Sequence, residues 1–503
     1  MTADARVALS RELTAADADP ALAALDARRV VVRVPDAATG PEALTAAAML
    51  VLVTRVHAHV DLDGDADLPP NPWAMSTLGA LRAAMSGIGP APAADASTTA
   101  VVDVGRPGRG PAASLLVAAQ PWTAAVSETG SLPDDDPPAP GAPYGGLLGA
   151  GLAAARLFRE ALRPLGLPAA AEARLVVWNV LDYRRSPAPA QAALAAAAPS
   201  WPAVALLACG SVGSSAAAAL ACEDLTGMRA ETVDGDTFDA SRNTFRYPAS
   251  TGSADGPKAD WVAGILRAAG AAATPHSRPV RGWVLGRDTP GWDGIAVASV
   301  DTVDGRYDVA DVLARTTVSA AVAGLALHVQ VERLGDGLRC PYCDFVDLQP
   351  ALSRAAADAA FLGLPETRLV ELADDPAGLR QSDLDAAVAA GRLLPDSAAA
   401  LVGRRVADLQ ARVYAQGIVP AAPQAPPVPV SAPFVSWVTG VLCAAEVAKA
   451  ARGLPLLDRR TELDLHGGPD DFVHRRPADT SGRCACAAQV RRRWMSALYG
   501  TTA

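Results

Sequence analysis

Gly210, Ser211 and Gly213 stand in "ACGSVGSS", directly after the apolar run "PAVALLA", and a small-residue segment follows them. Glycines at such a junction let the N-terminus of a helix approach an anion, whose charge the aligned backbone N–H groups favour. Asp234 closes the next β-like segment at about twenty residues' distance, where a nucleotide-binding sheet presents an acid to ribose hydroxyls. To this point a nicotinamide dehydrogenase and an ATP-using enzyme are equally served. Ala208 stands where a dinucleotide fingerprint has its first glycine. The residues that follow separate the two readings. A second acid, Asp236, comes next, and then Asn243, Arg246 and Lys258 at short spacing. They add hydrogen-bond donors, two of them cationic, which suits a triphosphate better than a single pyrophosphate. Asp301, at the end of a later strand, offers a hard oxygen to Mg2+.

Cysteines form a second group. "CPYC" (Cys340–Cys343) and "CAC" (Cys484–Cys486) supply four thiolates, for which tetrahedral Zn2+ is the natural occupant and four unligated thiols the alternative. The other three, Cys209, Cys222 and Cys443, read as small core residues. Seven cysteines in 503 residues are too few for a disulfide scaffold. The acidic stretch "DLDGDAD" (Asp61–Asp67) lacks the glycine position and the bidentate Glu of a calcium loop, and reads as an exposed loop.

The elements that must position these residues alternate between strand and helix. "RRVVVRV" (Arg28–Val34), "MLVLVTRVHAHVDL" (Met49–Leu62), "TTAVVDV" (Thr98–Val104) and "SLLVAAQ" (Ser114–Gln120) are expected strands, and Tyr144–Leu162 an expected helix. No glycine-rich turn follows any strand of this first part. A strand runs into Gly210 and a helix leaves it. Further strands are expected near residues 294–300 and 324–334. Residues 346–420 turn helical and end in a proline-rich linker. A helix at Ser436–Leu454 and a strand at Thr461–Gly467 restore the α/β style. The expected divisions are 1–198, 199–345, 346–433 and 434–503.

Bulk properties narrow the function. The net charge of −10, with no basic block, argues against nucleic acid as the main partner. No charge-free apolar run reaches the length of a spanning helix, and the first twenty residues lack the pattern of a signal peptide. A cytoplasmic protein with no membrane partner is the expectation.

The ordered set G-S-V-G-S, D-G-D, R-N-T-F-R, G-P-K and V-D-T-V-D-G-R resembles the adenylation domain of the ThiF/MoeB/E1 superfamily, over roughly residues 200–345 and 434–503. The resemblance implies an α/β chain of two Rossmann-like modules, a degenerate one first and an active one second, with a helical insertion and a four-cysteine zinc site. It implies an enzyme that uses Mg-ATP to adenylate the C-terminal glycine of a ubiquitin-like protein. Activation of a sulfur carrier or a peptide is the nearest alternative, and an inactive zinc-stabilised scaffold is the alternative of another class. By the likeness Asp234 holds ribose, Asn243, Arg246 and Lys258 hold phosphates, Asp301 holds Mg2+, and Arg306 is a structural or phosphate-side arginine. Thr302 stands where the family often has Asn.

The two modules would form a pseudo-dimer within one chain, itself open to higher oligomers, and Arg11 would be the arginine that the inactive module sends to the ATP site. A carboxylate attacking the α-phosphate meets another anion, so cations and metal must offset the repulsion. Ubiquitin-type relatives carry a thioester cysteine in the insertion, and residues 346–433 hold none. The adenylate is therefore expected to pass to an E2-like or other acceptor protein, or to a hydroxyl of Ser353 or Ser382.

Overall fold

The computed structural model describes residues 18–90, 95–108, 113–128, 132, 142–165, 174–184, 198–239, 243–252, 254–323, 325–333, 340, 343, 359, 362–389, 398–399, 401–406, 432–457, 460–465, 473–474, 479–484 and 488–500. The chain divides into two compact units, one of Ala23–Val346 with Ser431–Ala503, the other of Thr2–Leu22 with Asp347–Val430.

The larger unit is mixed α/β and contains two large sheets. Helix α1 (Ala18–Asp26) runs across the division at Leu22, and the first sheet is then built along the chain from β1 (Arg28–Arg33), α2 (Gly40–Val56), β2 (His59–Asp63), α3 (Leu78–Met85), β3 (Thr98–Val104), β4 (Leu115–Val117), β5 (Thr123–Ser127), α4 (Tyr144–Leu162) and β6 (Leu175–Asn179). Its order is β2-β1-β3-β4-β5-β6, parallel through β4 and antiparallel beyond it.

The second sheet follows from β7 (Val204–Leu207), α5 (Ser211–Leu220), β8 (Arg229–Val233), the short β9 (Thr237–Phe238) and β10 (Gly256–Pro257), α6 (Lys258–Ala268), β11 (Ala272–His276), α7 (Val280–Leu285), β12 (Trp292–Ala298), α8 (Val303–Asp311), β13 (Ala314–Ala323) and β14 (Ala326–Arg333). After α9 (Glu366–Asp374) and α10 (Gln381–Ala389) of the smaller unit, the chain returns through α11 (Pro433–Ala451), β15 (Arg460–Asp464), β16 (Val473–His474) and α12 (Gln489–Tyr499). Strand order is β11-β8-β7-β12-β13-β14-β15-β16, parallel as far as β13. Both sheets reverse direction beside their first strand, with β3 and β12 on the side away from β2 and β8. Ligands of open α/β sheets bind at such reversals, outside the carboxyl ends of the strands.

One expected strand is corrected. Met49–Val56 belongs to α2, and only His59–Asp63 is extended. The helix is buried on nearly every side, so it shows no polar stripe, and its apolar run imitates a buried strand. Its start is fixed by Thr39, which caps the helix in a reciprocal box with Glu42, and by Pro41 in the first turn. The acidic stretch Asp61–Asp67 is correspondingly part strand, with β2 taking it as far as Asp63.

Helix α11 is long and apolar enough to cross a membrane by length and composition, and 94% of that stretch is buried inside the fold. It packs against α4 of the first sheet and α5 of the second. A Cβ on Gly151 would lie 2.5 Å from Val438, and one on Gly440 would lie 2.5 Å from Ser215, so the missing side chains permit both contacts. Trp437 Nε1 donates to the Leu147 carbonyl at 2.9 Å. Glu446 and Lys449, both wholly buried, pair at 2.5 Å. The Tyr183 hydroxyl and the Leu457 N–H donate to Glu446 at 2.6 and 2.8 Å, and the Leu181 carbonyl accepts from Lys449 at 3.1 Å.

The smaller unit has its own apolar cluster, which includes Leu362, Leu369, Leu372, Leu384 and Leu401. Arg368 pairs with the buried Asp383 at 3.1 Å within it.

Candidate functional site

Strand β7 passes into α5 through Ala208, Cys209 and Gly210. Ala208 has φ of +75°, a left-handed conformation costing an L-residue roughly 1–2 kcal/mol. Its N–H is held by the Val233 carbonyl at 2.9 Å, and its carbonyl accepts from Ser299 Oγ at 3.3 Å. A Cβ on Gly213 would stand 2.1 Å from that same carbonyl, so glycine is what lets the helix approach the strand. Gly210 is the N-cap of α5; no side chain caps this helix, and no acid lies in its first turn. Ser211, just inside, meets Ser436 of α11 at 3.0 Å.

Asp234 stands at the end of β8, beside this turn. Its Oδ2 accepts from the Cys209 N–H at 2.7 Å and its Oδ1 from the Asp236 N–H at 2.8 Å. Each carboxylate oxygen keeps capacity for a further donor. Burial raises the Asp234 pKa above the usual carboxylate range, against the opposing pull of those N–H groups and of Lys258. Lys258, the first residue of α6, lies 2.7 Å from Asp236 Oδ2, and Asp236 is itself well exposed. Burial works against the Lys258 charge, but Tyr247, Asp236 and Asp234 outweigh it and raise its pKa. The Tyr247 ring lies 6.0 Å from Lys258 Nζ and packs with Phe238 and Trp261.

The turn before α6 carries Asn243, Arg246 and Tyr247. The Asn243 side-chain carbonyl is occupied within the turn, accepting from the Asp239 N–H at 2.8 Å. Among the described residues Arg246 pairs with no acid, and its Nε is buried with no acceptor. A buried unsatisfied donor costs roughly 1–3 kcal/mol, and an anionic oxygen would satisfy it. Asp301 is exposed, two residues beyond Ser299, and forms no hydrogen bond or ion pair with this set. Thr302 accepts from the Gly305 N–H at 3.1 Å and caps α8, a duty that accounts for a hydroxyl residue there. Arg306 lies half-buried on α8.

The structure thus joins Cys209, Asp234, Asp236 and Lys258 in one hydrogen-bonded chain beside the open end of α5, with the Tyr247 hydroxyl 3.9 Å from where a Gly210 side chain would begin. Arg11, Ser353 and Cys486 lie outside the described residues. Ser382 is exposed on α10 of the smaller unit. Sequence reasoning missed Tyr247, Ser299 and Arg55. The Arg55 signal was present, since a lone arginine within an apolar run is rarely buried without a partner.

The counterpart turn of the first sheet, between β1 and α2, is filled by the chain itself. Glu42 is wholly buried, and its Oε2 accepts from the Thr39 N–H at 2.7 Å. Its Oε1, which makes no hydrogen bond among the described residues, lies 3.6 Å from Nε of the exposed Arg106. Arg33, at the end of β1, pairs with Asp103 of β3 at 2.5 Å, and Asp103 also accepts from the Gly108 N–H at 2.7 Å.

Cys209, Cys222 and Cys443 are all buried, and burial raises each thiol pKa, so they remain neutral core groups. Cys340, Cys343 and Cys484 come together with Sγ–Sγ distances of 3.8, 3.5 and 3.5 Å. Sulfurs around tetrahedral zinc at about 2.3 Å stand roughly 3.8 Å apart, so three thiols here fit one face of such a site. Asp479 steadies it, donating its N–H to Cys343 Sγ at 3.4 Å and accepting from the Cys484 N–H at 3.0 Å. A cleft lined by Glu231, Arg287, Trp292 and Tyr499 lies at the opposite strand ends of the second sheet, away from this chemistry.

No protein-family model matches the chain, and no curated protein matches it. Among solved structures it is similar to E. coli MccB, at 13% identity over 57% of this chain and 65% of that one, with a TM-score of 0.33. Similar too are E. coli MccB with ATP, at 14% identity over 57% and 67% with a TM-score of 0.32, and the microcin C7 biosynthetic enzyme MccB in complex with N-formylated MccA, at 13% identity over 57% and 67% with a TM-score of 0.32. The chain spans about 65% of the length of the first of these. Likeness at that level bears no functional weight, which rests on the residues.

Proposed function

We propose that the chain is a Mg-ATP-dependent adenylyltransferase of the ThiF/MoeB/E1 type that activates the C-terminal carboxylate of a peptide. The observation that carries the reading is an uncapped helix N-terminus at Gly210 standing beside Asp234 and close to Tyr247, whose neighbour Arg246 has a buried Nε with no acceptor among the described residues. In this reading Asp234 accepts from the ribose hydroxyls. The N–H groups at the start of α5 meet phosphate, while Lys258 and Arg246 neutralise the charge that builds as a carboxylate approaches the α-phosphate. The protein's work is to hold the two anions in line. Asp301 would hold Mg2+, which supplies further neutralisation of phosphate oxygens. Cys340, Cys343 and Cys484, with Cys486, would hold zinc in a structural role. The first sheet is read as the degenerate partner of the second.

The thiols speak against conjugation through an enzyme thioester, the route that sets ubiquitin-type activation apart from activation of a peptide or a sulfur carrier. Residues 346–433 contain no cysteine, and Cys209, Cys222 and Cys443 are buried and neutral. Burial keeps these three thiols from solvent and disfavours the thiolate that a thioester route needs. The test is pyrophosphate exchange into ATP, run with a peptide library carrying free C-terminal carboxylates and, separately, with β-grasp proteins ending in glycine. Exchange with peptides supports the reading, exchange with β-grasp proteins alone replaces the substrate class, and binding of NAD without ATP removes the proposal. Metal analysis finding no stoichiometric zinc removes the zinc assignment.

A further inference from the structure

Arg55 lies in the last turn of helix α2 of the first sheet, yet its guanidinium serves the second. The side chain is wholly buried. Its Nε donates to the Thr244 carbonyl at 3.2 Å, one terminal nitrogen to Val51 of its own helix at 2.7 Å, and the other to the Tyr247 carbonyl at 3.0 Å and to the Ser250 carbonyl. Met85 Sδ lies 3.9 Å from the nitrogen that serves Val51. Every acceptor is neutral, and three belong to the turn that carries Arg246. Burial, with no carboxylate beside it among the described residues, lowers the Arg55 pKa to about 9. A second residue from the first sheet's half acts on the same stretch: Trp73 Nε1 donates to the Pro248 carbonyl at 3.0 Å, and its ring stacks on Trp437 at 5.9 Å.

We infer that Arg55 is the positioning residue of the Arg246 turn, so that the phosphate-binding side of the second sheet is assembled by a side chain of the first. This rests on the reading of that turn as a phosphate site. The carbonyls of residues 244, 247, 248 and 250 are taken by Arg55 and Trp73, and Asn243 pins the start of the turn to Asp239. With its carbonyls committed, the turn has one orientation, and Arg246 is left without a competing acid among the described residues. A guanidinium suits the task because its planar fork reaches several carbonyls at once, which an ammonium on a flexible stem does not reproduce.

The test uses the full chain and two variants, Arg55→Lys, which keeps the charge and loses the fork, and Arg55→Met, which loses both. ATP and adenosine affinities are measured by titration calorimetry, and amide hydrogen exchange of residues 243–252 is followed without ligand. Both variants are expected to bind ATP about tenfold more weakly, with adenosine affinity unchanged and faster exchange in the turn. The double variant Arg55→Lys/Arg246→Ala should bind ATP no worse than Arg246→Ala alone. A general loss of structure would weaken both ligands together. Wild-type ATP affinity and wild-type exchange in Arg55→Lys, or losses that add in the double variant, overturn the inference. Should Arg55→Met fail to fold, Arg55→Lys decides alone. If the wild-type chain binds no ATP, the proposed function falls, and the exchange rates of the turn still decide whether Arg55 positions it.

Discussion

The turns after β1 and after β7 occupy the same place in two sheets of like strand order, and they handle charge in opposite ways. At the first, a buried carboxylate of the chain, Glu42, sits on the helix N-terminus, Arg106 faces it, and Arg33 is matched to Asp103. At the second, the nearest carboxylate, Asp234, takes the Cys209 N–H just before the helix, no side chain caps the helix itself, and Arg246 has no acid among the described residues. Lys258 does have one, but its partner Asp236 is 74% exposed and weakly held. A helix N-terminus is a phosphate site only where the chain does not itself provide the anion. The glycines mark the difference: Cβ atoms on Gly105 and Gly108 would strike Glu42 and Arg33, so there glycine makes room for the filling side chains. Gly213 instead makes room for a strand carbonyl and brings the empty helix end close.

Removing one arginine from each turn tests the contrast most severely. Arg246→Ala should lower the rate of ATP–pyrophosphate exchange by on the order of 3 kcal/mol of transition-state stabilisation, as loss of an oxyanion donor does, while thermal stability is retained. Arg33→Ala should do the reverse. It strands Asp103 in the interior at a cost of about 3–5 kcal/mol, and the folded protein should bind ATP normally. Denaturation curves and exchange assays on both variants check this, and a stability loss in Arg246→Ala comparable to that in Arg33→Ala would erase the distinction.

A smaller effect belongs to the filled turn alone. Glu42→Ala removes the capping box of α2 and should destabilise the protein by about 1 kcal/mol, with ATP affinity unaltered. Chemical denaturation alongside titration measures both, and weakened ATP binding would mean that the two turns are not independent. The smallest effect is expected at Ala208. Glycine there relieves a left-handed alanine worth roughly 1–2 kcal/mol and adds roughly 0.5–1 kcal/mol of unfolded-state entropy. Ala208→Gly should therefore stabilise by about 0.5–1 kcal/mol, read as a rise in melting temperature. A fall would show that the turn's geometry is not strained.

The ordered residues around Gly210, Asp234 and Lys258 were legible because each acts through local backbone. A glycine turn, an acid at a strand end and a lysine opening a helix are set by a few neighbouring residues, and their spacing survives in one dimension. The meeting of Cys340 and Cys343 with Cys484 was legible for a similar reason, since paired thiols at close spacing suit ligation of one ion, while Cys486 lies outside the described residues. Helix α2 was misread in part because burial on all sides erases the periodicity by which a helix is recognised, although Thr39, Pro41 and Glu42 had marked its start.

What the sequence by itself determined was the alternation of elements and the chemistry offered at one strand-to-helix junction. Tertiary structure alone decided that Glu42 closes the matching junction, that Cys340 and Cys343 meet Cys484 across the sequence, and that Arg55 holds a turn nearly two hundred residues away. Those outcomes depend on which carbonyls and carboxylates lie within hydrogen-bond reach once the two sheets have packed. A guanidinium in an apolar helix could have served many partners, and only close packing left it these.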